Sequence, residues 1–81
     1  MLVKATQPET EGLLAINEDG SPVQINRQCF VYVKVDVPLV FLERLPAWGE
    51  ASKFEVTYWD VVLLGDQKLY IPDSLGELEA Y

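Results

Sequence analysis

The chain contains no histidine and a single cysteine, Cys29. Without imidazole, the usual general base near neutral pH is missing and neither a Ser-His nor a Cys-His nucleophile pair can be assembled, which excludes most hydrolases and transferases. One thiol cannot close an internal disulfide, nor can it supply the roughly four nitrogen or sulfur ligands of a structural zinc site. Cys29 begins an apolar alternating face with no neighbouring base to activate it, so it reads as a small buried hydrophobe in a chain suited to a reducing compartment.

Glycine is sparse and scattered. Gly12, Gly20, Gly49, Gly65 and Gly76 form neither G-x-x-x-x-G-K nor G-x-G-x-x-G, so no phosphate cradle is built. Basic residues are also few, six against thirteen Asp and Glu, for a net charge of −7. That field repels nucleic acid and anionic membranes as direct partners. The stretch Phe30-Val-Tyr32-Val-Lys34 interleaves aromatics in the manner of single-strand binders, but the positive groove that such binding needs is absent. The longest apolar run, Val37 to Leu42, is interrupted by Pro38, and the segment from Met1 to Pro8 lacks a basic region followed by an apolar stretch. Neither a membrane span nor a signal peptide is expected, and the expected location is the cytoplasm.

Two further chemistries fail on spacing. In a twelve-residue calcium loop from Ala15 to Asn26, Asn17, Asp19 and Gly20 fall correctly, but Ala15 stands where Asp is required and Asn26 where a bidentate Glu is required. Glu55 and Asp60 are separated by an odd number of residues and so point to opposite faces of a regular strand, where they read as solvated surface charges. No cofactor, metal or catalytic residue is expected.

What is present is a chain of 81 residues, 49% hydrophobic, expected to fold as a single domain over residues 1–81. Leu13 to Ile25 reads as a hairpin turning at Asp19-Gly20. Cys29 to Val37 alternates, with Cys29, Val31, Val33, Val35 and Val37 on a core face and Phe30, Tyr32, Lys34 and Asp36 on the other. Phe54 to Leu64 is a second long strand, returning through Gly65-Asp66 into Lys68 to Ile71 before Pro72. Residues 38–45 fit either a short helix bearing Leu39, Leu42 and Leu45 or an edge strand, and Ser74 to Glu77 has capping-box spacing that allows about one helical turn. The expected fold is mostly β, or α+β: a small antiparallel sheet of about five strands, partly closed as a barrel or covered by one short helix.

The acidity is concentrated at the ends. Residues 1–23 carry Lys4 against Glu9, Glu11, Glu18 and Asp19, residues 71–81 carry Asp73, Glu77 and Glu79, and the middle is almost balanced. Within that middle lie the contact candidates. Leu45-Pro-Ala-Trp48-Gly-Glu50 places a Trp, the commonest interface anchor, in a connection where small polar residues are the norm; the alternative is that Trp48 folds back onto the core. Tyr58 and Trp59 face opposite sides of their strand, so Trp59, Val61 and Leu63 make an apolar outer face that needs a covering helix or a partner. The leading expectation is a non-catalytic protein-interaction module or small accessory subunit, using Trp59, Trp48, Leu45, Glu50 and Tyr58 towards a protein partner, with a homodimer through an edge strand among the assemblies allowed. The alternative is an acidic inhibitor, imitating nucleic acid, of a nucleic-acid-binding enzyme or host-defence complex, as phage proteins do.

Overall fold

The computed structural model describes residues 1–16, 30–46, 56–74 and 76–81. They form seven strands: β1 (Leu2–Ala5), β2 (Glu11–Leu13), β3 (Phe30–Tyr32), β4 (Leu39–Pro46), β5 (Tyr58–Leu64), β6 (Gln67–Pro72) and β7 (Leu78–Ala80). All belong to one antiparallel sheet, in the order β3-β2-β6-β5-β4-β1-β7, that curls into a half-barrel. The mostly β expectation holds, with more strands than the five expected and no helix among the described residues.

The β5–β6 hairpin follows from local sequence. Leu64 pairs with Gln67, and Gly65, first of the two central residues, takes φ 65°. A positive φ at Gly65 but not at Asp66 is the mark of a type II′ turn, whose twist suits the flanking strands. Cys29, the turn Asn17–Ser21, and Phe54 with Glu55 lie outside the described residues.

Residues 38–45, open between a short helix and an edge strand in the sequence, fall largely in strand β4 (Leu39–Pro46), which lies inside the sheet between β5 and β1 and not at its edge. Phe41 pairs with Val62 and Glu43 with Val61, which leaves Leu42 as the extra residue of a β-bulge. The bulge inverts the side-chain alternation: Leu39 and Phe41 enter one hydrophobic cluster, whereas Leu45 enters the other. The long strand expected from Cys29 to Val37 is shorter, because pairing with β2 stops at Tyr32. The chain then crosses to the other side of the sheet. Val33 N–H donates to Thr10 O, Val35 bridges Ala5 in parallel, and Asp36 turns the chain at φ 67°, a conformation that Asp tolerates better than most residues. Val33 is therefore core, but Val35 is substantially exposed. Near the C-terminus, Leu78–Ala80 forms edge strand β7 against β1, close to where the capping-box spacing predicts a helical turn.

The inner face of the half-barrel is lined by Val3, Ala5, Leu39, Val62, Leu69 and Ile71, with Val33 of the crossing segment packed among them. A second cluster, Leu13, Val56 and Trp59 with Ile16, Phe30, Leu45 and Tyr70 against it, covers one half of the outer face. β5 is consequently buried on both sides, with Trp59, Val61 and Val62 fully enclosed. Where the β1–β2 connection meets the C-terminal segment, Gly76 lies against the buried Thr10: a Cβ there would stand 2.6 Å from Thr10 Cγ2.

Candidate functional site

Trp48 and Glu50 fall outside the described residues. Trp59 lies on the outer face, as its parity requires, but its relative exposure is 0% because Leu13 and Val56 pack on it. No helix among the described residues provides that cover; other strands and connections of the same chain do. Leu45 is half-buried against the same cluster and registers directly with Trp59. These two residues hold the sheet together and present little surface to a partner.

Tyr58 belongs to a polar group at one end of the opposite face. Arg44 and Asp60 are registered partners on β4 and β5, and Arg44 Nε donates to Asp60 Oδ1 at 2.9 Å. The guanidinium lies 3.9 Å from the centroid of the Tyr58 ring. The carboxylate bond, together with smaller attractions to Tyr58 and Asp73, raises the Arg44 pKa above its already high value. Asp73 Oδ1 accepts hydrogen bonds from Thr57 N at 2.8 Å and Tyr58 N at 3.4 Å, fixing the entry into β5. Asp60, expected as a solvated surface charge, is instead only 5% exposed. Parity along β5 could not reveal this, because its partner comes from β4. A carboxylate held this way is charge-paired and positioned for structure.

The surface left open lies further along the outer face. Strand register places Tyr81, Leu2, Val40, Leu63 and Lys68 in a single row across β7, β1, β4, β5 and β6: Leu2 pairs with Val40, Val40 with Leu63 and Leu63 with Lys68, while Tyr81 N–H donates to Leu2 O. Neighbouring strands are about 4.8 Å apart, so the row is about 19 Å long. Tyr81 is 62% exposed, Leu2 48% and Val40 40%, with the bulge residue Leu42 at 44%. Leu63 is half-buried.

A charged group flanks the row at its Tyr81 end. Lys4 Nζ lies 3.4 Å from Asp36 Oδ1, 3.6 Å from Glu79 Oε1 and 5.9 Å from the centroid of the Tyr81 ring. The hydrogen bond to Asp36, then its charge and that of Glu79, raise the Lys4 pKa. Of the row, sequence reading reaches only Leu63, as a neighbour of Trp59; the other members come from strands far apart in the chain.

Among the described residues no group of three or more carboxylates or thiols is placed to hold a metal ion, and no helix is long and apolar enough to cross a membrane. No protein family, curated protein or solved structure matches the chain.

Proposed function

We propose that this chain is a non-catalytic protein-interaction module or small accessory subunit whose contact surface is the outer row Leu2, Val40 and Leu63, bordered by Tyr81 and Leu42. The observation that carries this reading is the division of the outer face into a covered half, built on Trp59, and an open half of registered apolar side chains. A contiguous exposed apolar strip on a small acidic domain has a solvation cost that a partner removes, and such strips mark interaction sites. Trp59 and Leu45 support this surface from within, and Tyr58 anchors the far end of the sheet. Trp48 and Glu50, expected as contact residues, lie outside the described residues and are not assigned to this surface. The absence of histidine and the pairing of Asp60 with Arg44 both fit a role without catalysis, and a lone cysteine fits the cytoplasm.

The acidic-inhibitor alternative has less support, because an imitator of nucleic acid needs its carboxylates free on one surface. Asp60 is paired with Arg44, Asp73 binds backbone N–H groups, and Asp36 and Glu79 share Lys4.

Affinity capture from the native cell with the wild type and with Val40→Glu tests the reading. Val40 is exposed, so the variant should fold, and it should lose the proteins that the wild type retains. Equal capture by a folded Val40→Glu chain would remove the row from consideration. Association that slows steeply with salt and ignores Val40→Glu would favour the acidic inhibitor.

A further inference from the structure

We infer that β7 is a latch that opens separately from the rest of the sheet, and that the edge of β1 which it vacates takes in its place an extended segment of a protein partner with the pattern apolar, acidic, small. The site is an edge of the sheet and not its outer face. It does not depend on Val40 or Leu63, whose role the capture experiment decides.

β7 is held on one side. It stands last in the strand order and pairs with β1, and among the described residues no strand pairs with its other edge. None of its residues is fully buried: Leu78 is half-buried, and Glu79 and Ala80 are exposed. Its attachments lie at the surface. Thr6 donates to Glu77 O from its N–H at 3.2 Å and from Oγ1 at 3.3 Å, Tyr81 N–H donates to Leu2 O at 3.0 Å, and Lys4 Nζ lies 3.6 Å from Glu79 Oε1. Little buried apolar surface and solvent-accessible hydrogen bonds are what allow a segment to open at lower free energy than the core.

Opening leaves no charge stranded. When Glu79 departs, Lys4 keeps Asp36, whose Oδ1 lies 3.4 Å from Nζ, and β1 stays paired with β4 on its other side. What loses cover is apolar: Leu78 packs against the inner cluster, and the residues opposite Leu78 and Ala80 are Ala5 and Val3, both members of that cluster. Gly76, buried against Thr10, is the fixed point from which the strand departs.

The vacated edge has a definite chemistry. The backbone groups of β1 on that side are satisfied by an antiparallel strand, as in strand addition to a sheet edge. Beside Ala5 and Val3 the inner side admits an apolar and a small side chain, and Lys4 meets a carboxylate between them. Leu78, Glu79 and Ala80 supply those groups in that order, so β7 occupies within the chain the place the partner segment takes. The β7 of a second copy fits less well, because it is tethered in turn at its own Gly76 against its own Thr10.

Amide hydrogen exchange of the full chain, followed by NMR, reads the latch. The N–H groups of Thr6 and Tyr81, which bridge β1 and β7, should exchange at least about tenfold faster than that of the buried Val33, bonded to Thr10 O at 2.9 Å, and low urea should accelerate Val33 alone. Equal exchange at all three overturns the latch. Binding is read on full-length Leu78→Asp, which removes the apolar attachment and favours the open state. A synthetic peptide with the sequence of residues 76–81 should shift the amide signals of Leu2, Lys4 and Thr6, and the same peptide with Glu79→Lys should bind a few-fold more weakly. Failure of the first peptide to shift these signals overturns the partner segment. A Leu78→Asp chain that does not fold overturns the latch, because β7 is then integral to the sheet. A wild type that dimerises as Thr6 and Tyr81 lose protection assigns the edge to a second copy and overturns the partner segment.

Discussion

Asp60, 5% exposed on β5, accepts a 2.9 Å hydrogen bond from Nε of Arg44, the residue registered opposite it on β4, whose side chain is 56% exposed. The pair is asymmetric: the cation reaches in from the rim to a carboxylate that cannot reach water easily. Removing the cation should therefore cost more than removing both charges. Arg44→Met should destabilise the fold by about 2 kcal/mol, below the range for a fully buried pair because Arg44 is partly solvated, and Arg44→Met with Asp60→Leu should recover most of it. Urea denaturation of the two variants decides this; equal stabilities would mean that Asp60 does not depend on Arg44.

Trp59 acts as the keystone of the covered outer cluster, between Leu13 and Val56. Trp59→Ala should cost roughly 3–5 kcal/mol, enough to unfold a domain of this size at ambient temperature, and Trp59→Phe should cost less. Circular dichroism during thermal unfolding reads the effect. Unchanged stability in Trp59→Ala with lost partner binding would restore Trp59 as a contact residue and contradict its role as a structural anchor.

Gly76 is required by a close approach. An added Cβ would lie 2.6 Å from Thr10 Cγ2 and 2.7 Å from Thr10 Oγ1, and Thr10 is fully buried with its hydroxyl donating to Gln7 O at 3.0 Å. Gly76→Ala should destabilise by roughly 1–3 kcal/mol through overpacking. Thr10→Ala vacates the space, so the two changes together should cost less than their sum. Additive losses in chemical denaturation would show that the clash is relieved elsewhere.

Lys4 provides the pH-dependent element. Asp36 and Glu79 raise its pKa above the ordinary 10.5, so the ammonium is favoured more in the folded state than in the unfolded. The stability this contributes is complete below pH 10.5 and is lost as pH rises through the folded-state value. The effect is small for exposed groups. The difference in urea midpoint between wild type and Lys4→Met should be steady from neutral pH and close in strong alkali; a difference that persists there would assign the effect to packing of the lysine stem.

Legibility in the sequence followed the range of the interactions. The β5–β6 hairpin is readable because Gly65-Asp66 and its flanking residues decide it locally. Residues 38–45 are ambiguous for a physical reason: the bulge at Leu42 inserts one residue, so Leu39, Leu42 and Leu45 acquire a spacing that imitates a helical turn. The strand from Cys29 to Val37 is overextended in the sequence because alternation says nothing of the partner, and β2 begins at Glu11, the partner of Tyr32. Trp59 stands out as an interface candidate because parity gives a face but not its cover. The row itself depends on β1, β4, β5, β6 and β7 meeting in one register, a relation between distant segments that no local pattern records.

If the open half of the outer face is where this chain meets another protein, its methyl groups should report the contact. Methyl-resolved NMR of Leu- and Val-labelled chain, recorded dilute and then with excess unlabelled chain or the captured partner, tests this most directly. The resonances of Leu2, Val40, Leu42 and Leu63 should be perturbed, with Leu39, Val62 and Leu69 of the inner face unmoved. Perturbation that spares those four and falls on Leu14 or Val35, the other exposed Leu and Val among the described residues, would contradict it.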